Sequence, residues 1–240
     1  MKRLGAILLC LLLLFSFLPV HAEEIPYIVR NSGDQNKRVA ITVDDCFDMN
    51  HFQSIVELCE TYHIPVTFFV VGGAMKERDR ELWQSALDAG CEIANHTQGH
   101  ASLPSKSNRQ ILSQLLRVQE RVDAVLGYHY PMQVMRPPYG KVTRDNDRTI
   151  ASVVKKAGYQ HIVLWDVSQT DPDLAIKQVK SGSILLYHTN KRDVRCLRQL
   201  IPALLDDGYT PVTVSELLSL DEIATSTDLY TYDPHIFDTP

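Results

Sequence analysis

The sequence has few cysteines and no excess of positive charge. Its 240 residues include five cysteines, whose spacings match neither a zinc knuckle nor a CxxC redox motif. Acidic residues outnumber basic ones by 29 to 24, so we predict no nucleic-acid partner. Beyond Val20, no apolar run is long enough to span a bilayer. These absences exclude a thiol-based zinc or redox module, a basic nucleic-acid-binding domain and a polytopic membrane protein.

The remaining composition is that of one globular domain. Hydrophobic residues make up 45% of the chain and charged residues 22%, which supplies enough apolar material for a sizeable core. We place this domain at residues 38–220, after an N-terminal extension (residues 23–37) and before an acidic tail (residues 221–240). The tail has no helical or strand periodicity, so we expect it to lie on the surface or to be mobile. No feature predicts an obligate protein partner.

The N-terminus has the pattern of a secretory signal peptide, assigned to residues 1–22. Lys2 and Arg3 precede an apolar run over residues 4–18. We predict cleavage after Ala22 and a secreted or extracytoplasmic protein. An uncleaved membrane anchor is the less favoured alternative, because the run is shorter than a typical membrane span. Four cysteines would remain after cleavage; their pairing is open, and buried free thiols are the simplest interpretation.

Strand-like and helix-like patterns alternate along the domain. Seven short runs are rich in β-branched and aliphatic residues, namely 39–43, 64–71, 91–94, 132–135, 161–165, 183–187 and 210–214. Apolar residues with helical spacing lie between them, around 52–59, 111–125, 150–157 and 194–206. The alternation predicts an α/β fold with a parallel sheet of about seven strands, either open and doubly wound or closed as a barrel.

Local signals mark the helix ends. Ser107 followed by Gln110 has the signature of a capping box. A glycine stands at the expected end of three helices, at positions 90, 158 and 208. Pro202 lies inside the last helical pattern and should kink that helix or shift its start.

Polar side chains follow four of the predicted strands. They are Asp44 and Asp45 after the first strand, His96 and His100 after the third, Arg136 after the fourth and His188 after the sixth. Because the carboxyl ends of parallel strands meet at one rim, we expect these side chains to lie together.

Three of these side chains suggest a metal site. The spacing of four between His96 and His100 would bring two imidazoles to one side of a helical turn, although surface or capping histidines share this spacing. A carboxylate at a neighbouring strand end strengthens the prediction. Asp44 and Asp45 point to opposite sides of a regular strand, so they can have different roles only if the chain bends there. The alternative is a strand-end turn that caps the next helix.

Five segments in order resemble the motifs of the polysaccharide deacetylase family, also called the NodB homology domain or carbohydrate esterase family 4. The segments read TVDD, HTQGH, RPPYG, WDVSQTD and LLYH, and the match runs from about residue 38 to 217. The resemblance implies a distorted (β/α) barrel of about seven parallel strands. It also implies hydrolysis of N-acetyl groups, or less often O-acetyl groups, from a carbohydrate polymer.

The same resemblance implies roles for individual residues. Asp44 would be the catalytic base, and Arg136 would be its partner. The metal ligands would be Asp45, His96 and His100. His188 would be the acid, and Asp171 the carboxylate that tunes it, while the Tyr139 main-chain N–H would be an oxyanion donor and Leu186 a wall of the acetyl pocket. One divalent ion is implied, and two imidazoles with one carboxylate suit zinc but also cobalt, nickel or manganese. An amide nitrogen leaves poorly unless protonated, and the pKa of a histidine suits that task.

Three positions depart from the family pattern. Val43 stands in place of the usual Phe, Cys46 in place of Gly, and Pro172 in place of the Trp that follows the fourth-motif aspartate. Trp165 could replace that missing wall of the acetyl pocket, or it could be an ordinary core or rim aromatic.

The expected partner is an N-acetylated polysaccharide, with cell-wall peptidoglycan favoured because the chain has an export signal. Two alternatives stay open. One is an O-acetyl polysaccharide esterase, and the other is a catalytically silent carbohydrate-binding protein of the same fold.

Overall fold

The computed structural model describes residues 27–143 and 150–235. The predicted signal peptide and its cleavage site lie outside the described residues. These residues contain eight strands: β1 (Ile28–Val29), β2 (Arg38–Asp45), β3 (Thr67–Val70), β4 (Glu92–Asn95), β5 (Val134–Met135), β6 (His161–Val163), β7 (Ile184–His188) and β8 (Thr210–Pro211). The helices are α1 (Met49–Tyr62), α2 (Arg80–Asp88), α3 (Asn108–Leu126), α4 (Ala151–Lys156), α5 (Pro172–Gln178), α6 (Lys191–Asp206) and α7 (Val214–Leu217).

The strands form one parallel sheet in the order β1-β6-β5-β4-β3-β2-β7, with β8 paired to β2. The two ends of this path approach each other through isolated bridges, Asn31 with Ser183 and Val167 with Leu185. The sheet therefore curls into a distorted barrel that closes at a seam without a continuous ladder, which confirms the predicted fold class.

Alternation along the strands separates two apolar cores. Side chains such as Val39, Ile41 and Val43 of β2 pack outward against the helices in the larger core. The intervening residues point into the barrel, where Ala40 joins Phe69 and the α7 residue Val214 in a second, smaller core. Short helix α7 thus fills the end of the barrel at which the strands begin.

The seam is fixed by a carboxylate. Asp166 accepts hydrogen bonds from Asn31 Nδ2 (2.9 Å), Ser183 Oγ (3.0 Å) and the Ile184 main-chain N–H (2.9 Å). These contacts join the segments after β1 and β6 to the start of β7. A few main-chain hydrogen bonds also cross this edge, among them the Ser32 N–H to the Gly182 carbonyl (3.0 Å) and the Leu186 N–H to the Val167 carbonyl (2.9 Å). The Asp166 side chain adds to these main-chain contacts.

The capping-box and glycine signals agree with the structure. Ser107 and Gln110 form the predicted capping box at the start of α3. The three predicted helix-ending glycines all have positive φ, at positions 90, 158 and 208. Pro202 lies inside α6 (Lys191–Asp206), so the predicted shift of the helix start is wrong, and the alternative of a kink stays a prediction.

In two regions the structure contains features that were not predicted from the sequence. Strand β1 lies in the segment we had assigned to the N-terminal extension, and with two residues it is too short to show periodicity. The tail lies along α3 as far as residue 235: Ser226 forms a bridge with His129, and the Tyr230 N–H donates to Asp123 Oδ2 at 2.8 Å. Within the described residues, no helix combines the length and apolar character needed to cross a membrane.

Candidate active site

Strand register brings the polar residues of the motifs to one rim of the barrel. In the parallel register of β2 and β7, Asp44 lies opposite His188. The His96 N–H bonds to the carbonyl of Val70, and the Arg136 N–H to that of Asn95. Asp44, His96 and Arg136 are all buried. Their side chains continue the inward-facing rows of the smaller core, so the barrel interior changes from apolar to polar toward this rim.

The chain bends at Asp45, as the double aspartate requires. Asp45 has φ 72° and Cys46 has φ 60°, both in the left-handed region that non-glycine residues seldom adopt. This bend turns Asp45 away from the outward direction that a regular strand would give it. Both carboxylates therefore reach the rim, with Asp44 inside the barrel and Asp45 beside the histidines.

Asp45, His96 and His100 form a possible metal site. Their nearest ligand atoms all lie within 4.8 Å of one another, and Asp45 Oδ1 is 3.5 Å from His96 Nε2 and 3.2 Å from His100 Nε2. Ligands about 2.1 Å from a tetrahedral zinc are separated by about 3.4 Å. Asp45 Oδ1 is buried and has no hydrogen-bond partner among the described residues. An orphaned buried carboxylate oxygen between two imidazoles fits a cation.

The two histidines meet by a route that the sequence did not predict. Residues 96–100 are not helical, since Thr97 has φ 70° and His100 has φ 52°. The loop is anchored instead by side chains, because Asn95 Oδ1 accepts the Thr97 N–H and Gln114 Oε1 accepts the Gly99 N–H. The ring centroids still lie 5.2 Å apart. The predicted helical turn is wrong, and the predicted proximity is present.

His96 has the tautomer of a metal ligand. Its Nδ1 lies 2.8 Å from the carbonyl oxygen of Arg136, which requires a proton on Nδ1 and leaves the Nε2 lone pair directed at Asp45. Burial lowers the pKa of His96, although the nearby carboxylates of Asp44 and Asp45 oppose this effect. A neutral imidazole is the form that binds a metal ion.

Arg136 is fully buried and holds Asp44. Its Nη1 donates to Asp44 Oδ1 at 2.6 Å and to Thr42 Oγ1 at 2.7 Å. Its Nε and Nη2 donate to the carbonyls of Val163 (3.1 Å) and Leu164 (3.0 Å). Burial lowers the pKa of Arg136, and the carboxylate of Asp44 opposes this. With Oδ1 held in this way, Asp44 Oδ2 is the oxygen that is left to act on a substrate or a water.

The RPPYG segment forms a strained loop beside the possible metal site. Tyr139 has φ 63°, the residue is 62% exposed, and its ring lies edge-on to His100 with centroids 4.8 Å apart. Its main-chain N–H makes no hydrogen bond within the described part of the chain. Trp165 packs beneath this loop, against Gly140 and near the Arg136 guanidinium. The free donor and the strain are typical of a functional loop.

Leu186 and His188 lie on β7, facing the same rim. Leu186 is 7% exposed and inward-facing, in register with Thr42. The side chain of His188 is 42% exposed. Its pKa is raised, mainly by a hydrogen bond to Asp193, and secondarily by the carboxylates of Asp44 and Asp45, against an opposing effect of burial.

Asp171 is not the carboxylate that contacts His188. Asp171 is exposed and caps α5, where its Oδ1 accepts the Leu174 N–H at 3.0 Å. Pro172, which takes the place of the usual Trp, is the first residue of that helix. Among the described residues, the carboxylate within reach of the His188 ring is Asp193. No sequence pattern pointed to Asp193, because an acidic residue in the first turn of a helix is ordinary.

Fold and motifs together define the class, and the chain belongs to the polysaccharide deacetylase family, whose sequence profile matches residues 31–162. A peptidoglycan-N-acetylglucosamine deacetylase from Bacillus cereus is 31% identical over 211 residues, covering 82% of this chain and 95% of the relative. The peptidoglycan-N-acetylmuramic acid deacetylase PdaA of Bacillus subtilis is 28% identical over 197 residues, covering 77% and 72%. The chain spans 41% of a longer relative, PgdA of Listeria monocytogenes.

Solved structures agree on the fold. The peptidoglycan deacetylase PdaC of Bacillus subtilis superposes with a TM-score of 0.66 at 26% identity, covering 77% of this chain and 91% of that one. A family pseudoenzyme from Bacillus anthracis superposes with a TM-score of 0.70 at 21% identity, covering 80% and 69%. At that identity, the second likeness concerns the fold alone.

Proposed function

We propose that this chain is an extracytoplasmic, metal-dependent deacetylase that removes N-acetyl groups from cell-wall peptidoglycan. The observation that carries the proposal is the meeting of three groups at one rim: the Asp45, His96 and His100 cluster, the Asp44–Arg136 pair and His188. The names of the relatives in Bacillus support the choice of polymer. The signal-peptide pattern supports the location.

Each residue of the site has a task in amide hydrolysis. A divalent cation, for which we favour zinc, would be held by Asp45, His96 and His100 and would supply Lewis acidity to the water and the acetyl carbonyl. Asp44 Oδ2 accepts the proton of the attacking water, while Arg136 keeps that carboxylate ionised and aligned. The Tyr139 N–H donates to the oxyanion of the tetrahedral intermediate.

The leaving group requires an acid. The amide nitrogen departs as an amine only after it gains a proton, and the raised pKa of His188 keeps its imidazole protonated at neutral pH more fully than an ordinary histidine. Leu186, inward-facing on β7, and Trp165, packed beneath the Tyr139 loop, line the space in which the acetyl methyl would lie.

Acetate release tests this proposal. Peptidoglycan, chitooligosaccharides and acetylated xylan should be incubated with the wild type, with and without chelator, and with Asp44→Asn. We expect release from peptidoglycan that chelator abolishes and zinc restores, and a loss of about 10²- to 10⁴-fold in Asp44→Asn. Mass spectrometry of muramidase fragments identifies which sugar is deacetylated. Chelator-insensitive release, or full activity of Asp44→Asn, would refute the mechanism.

The second candidate is a catalytically silent protein that keeps the fold. The Bacillus anthracis pseudoenzyme makes this a real alternative within the family. Two residues argue against a silent protein. Asp44 has a carboxylate oxygen that can accept a proton and His188 is in place to donate one, whereas carbohydrate binding alone requires neither residue. Absence of acetate release from all three substrates by metal-loaded protein would favour the silent candidate.

A further inference from the structure

The ring of His188 is held by a short, rigid connection between β7 and α6. His188 is the last residue of β7, and Asn190 caps α6 by accepting the N–H groups of Arg192 and Asp193, both at 3.0 Å. Asp193, the third residue of the helix, is 1% exposed. Its Oδ2 accepts the main-chain N–H of His188 at 2.8 Å and lies 3.3 Å from Nδ1 of the same residue.

We propose that Asp193, and not the fourth-motif carboxylate Asp171, is the positioning residue of His188. The inference rests on the proposed function, in which His188 is the acid. One carboxylate oxygen contacts both the main chain and the ring of His188, so the ring is fixed relative to β7. Asp171 is committed to the cap of α5. In this chain, which has Pro at position 172, the carboxylate that contacts the His188 ring therefore comes from α6.

The pairing determines which ring nitrogen serves the substrate. Nδ1–H donates to Asp193, so Nε2 is the nitrogen that remains to protonate the leaving group. Asp193 stays ionised: burial would raise its pKa, but the hydrogen bonds from His188 and Asn190 outweigh this and lower it. The first turn of α6 also favours a carboxylate, because the helix dipole is positive there.

Other charged side chains also lie around His188 and Asp193. Asp44 and Asp45 on β2 add to the effect of Asp193 and raise the pKa of His188. The guanidinium of Arg192 lies 3.5 Å from Asp193 Oδ1 and is largely exposed, so solvent screens it. Removal of the charge at position 193 should therefore lower the pKa of His188, while removal of the charge at position 171 should not.

The test compares Asp193→Asn with the matched variant Asp171→Asn. Asparagine keeps the oxygen that accepts the His188 N–H but removes the charge. In metal-free and in zinc-loaded protein, NMR titration of the His188 imidazole should move to lower pH in Asp193→Asn and stay in place in Asp171→Asn. For kcat/KM on peptidoglycan, the alkaline limb should move in the same direction, with a loss of about 10- to 100-fold at neutral pH. Replacement of a residue with only a structural role would not shift the pH at which kcat/KM falls.

A second variant guards against a folding defect. Asp193→Glu keeps a carboxylate within reach, so its His188 should titrate nearer to the wild type than in Asp193→Asn. The proposal is overturned if the Glu and Asn variants titrate alike, or if Asp171→Asn moves the titration and Asp193→Asn does not. NMR titration needs no turnover, so it tests the pairing separately from the activity. If the His188 titration shifts in Asp193→Asn but the wild type releases no acetate, the proposed function is refuted and the pairing of His188 with Asp193 still stands.

Discussion

Arg136 Nη1 lies 2.6 Å from Asp44 Oδ1, and both side chains are buried inside the barrel. The guanidinium lies over the rings of Phe69 and Trp165, 4.1 and 5.6 Å from their centroids, and is shielded from water. A charge in such a place is stable only with its partner, because breaking a buried pair leaves the other ion uncompensated. The base of the proposed reaction and the packing of the barrel interior therefore depend on the same contact.

The first prediction follows from this pair. Arg136→Met should lower the free energy of unfolding by roughly 3–5 kcal/mol, since it leaves the Asp44 carboxylate buried and unpaired. Asp44→Asn removes that charge, so in the double variant the loss should be smaller than the sum of the single losses. Urea unfolding of the four proteins gives the coupling energy, which we expect to exceed about 1 kcal/mol. Additive losses would show that the two residues act independently.

Most of the candidate site could be predicted from sequence because it consists of polar residues at strand ends. Asp44, His96, Arg136 and His188 follow apolar runs, and parallel strands bring such positions to one rim. The bend at Asp45 was also predictable, because two adjacent aspartates cannot otherwise face the same site.

Other features depend on tertiary contacts that leave no pattern. Strand β1 has two residues, too few for alternation to appear. One of the two side chains that anchor the turn from His96 to His100 is Gln114, which lies on α3, distant in sequence from the turn. Asp193 looks like an ordinary first-turn carboxylate, and only the fold shows that its oxygen reaches His188.

The second prediction concerns metal content. His100→Ala should remove one of three ligands and lower the zinc bound per chain, as measured by elemental analysis after gel filtration. Zinc should also raise the melting temperature of the wild type, because binding to the folded state alone stabilises it. That rise should shrink in His100→Ala. His63→Asn is the control, since His63 is exposed at the end of α1 and should keep both values. Equal metal content in the two variants would contradict the assignment.

The third prediction separates the two bonds that the site could cleave. The pKa of His188 is raised above its ordinary value of 6.5. The protonated, acid form is therefore present at pH values below this raised pKa and is lost as the pH rises through it. On an N-acetyl substrate, kcat/KM should fall along that limb, and His188→Ala should reduce it by about 10²- to 10⁴-fold. On an O-acetyl ester the loss should be smaller, because an alkoxide leaves more readily. Equal losses on both substrates would argue against His188 as the acid.

The fourth prediction concerns Gly140, which follows Tyr139 in the strained loop. Its φ is +63°, and a Cβ there would lie 2.9 Å from the indole of Trp165. Gly158 has φ +93° with nothing within 4 Å of the same added atom. Both alanine variants incur the cost of a left-handed residue, about 1–2 kcal/mol. Only Gly140→Ala also forces the loop and the indole apart, which displaces the Tyr139 N–H and disturbs the packing beside Arg136.

Gly140→Ala should therefore lose more stability than Gly158→Ala and should also lose activity. Thermal unfolding measures the first difference, and kcat on peptidoglycan measures the second. Loss of one oxyanion donor reduces kcat by about 10²- to 10³-fold, whereas Gly158→Ala should keep the wild-type kcat at temperatures where it is folded. If the two variants lost stability equally and both kept full activity, the tight contact between this loop and Trp165 would have no part in placing the Tyr139 donor.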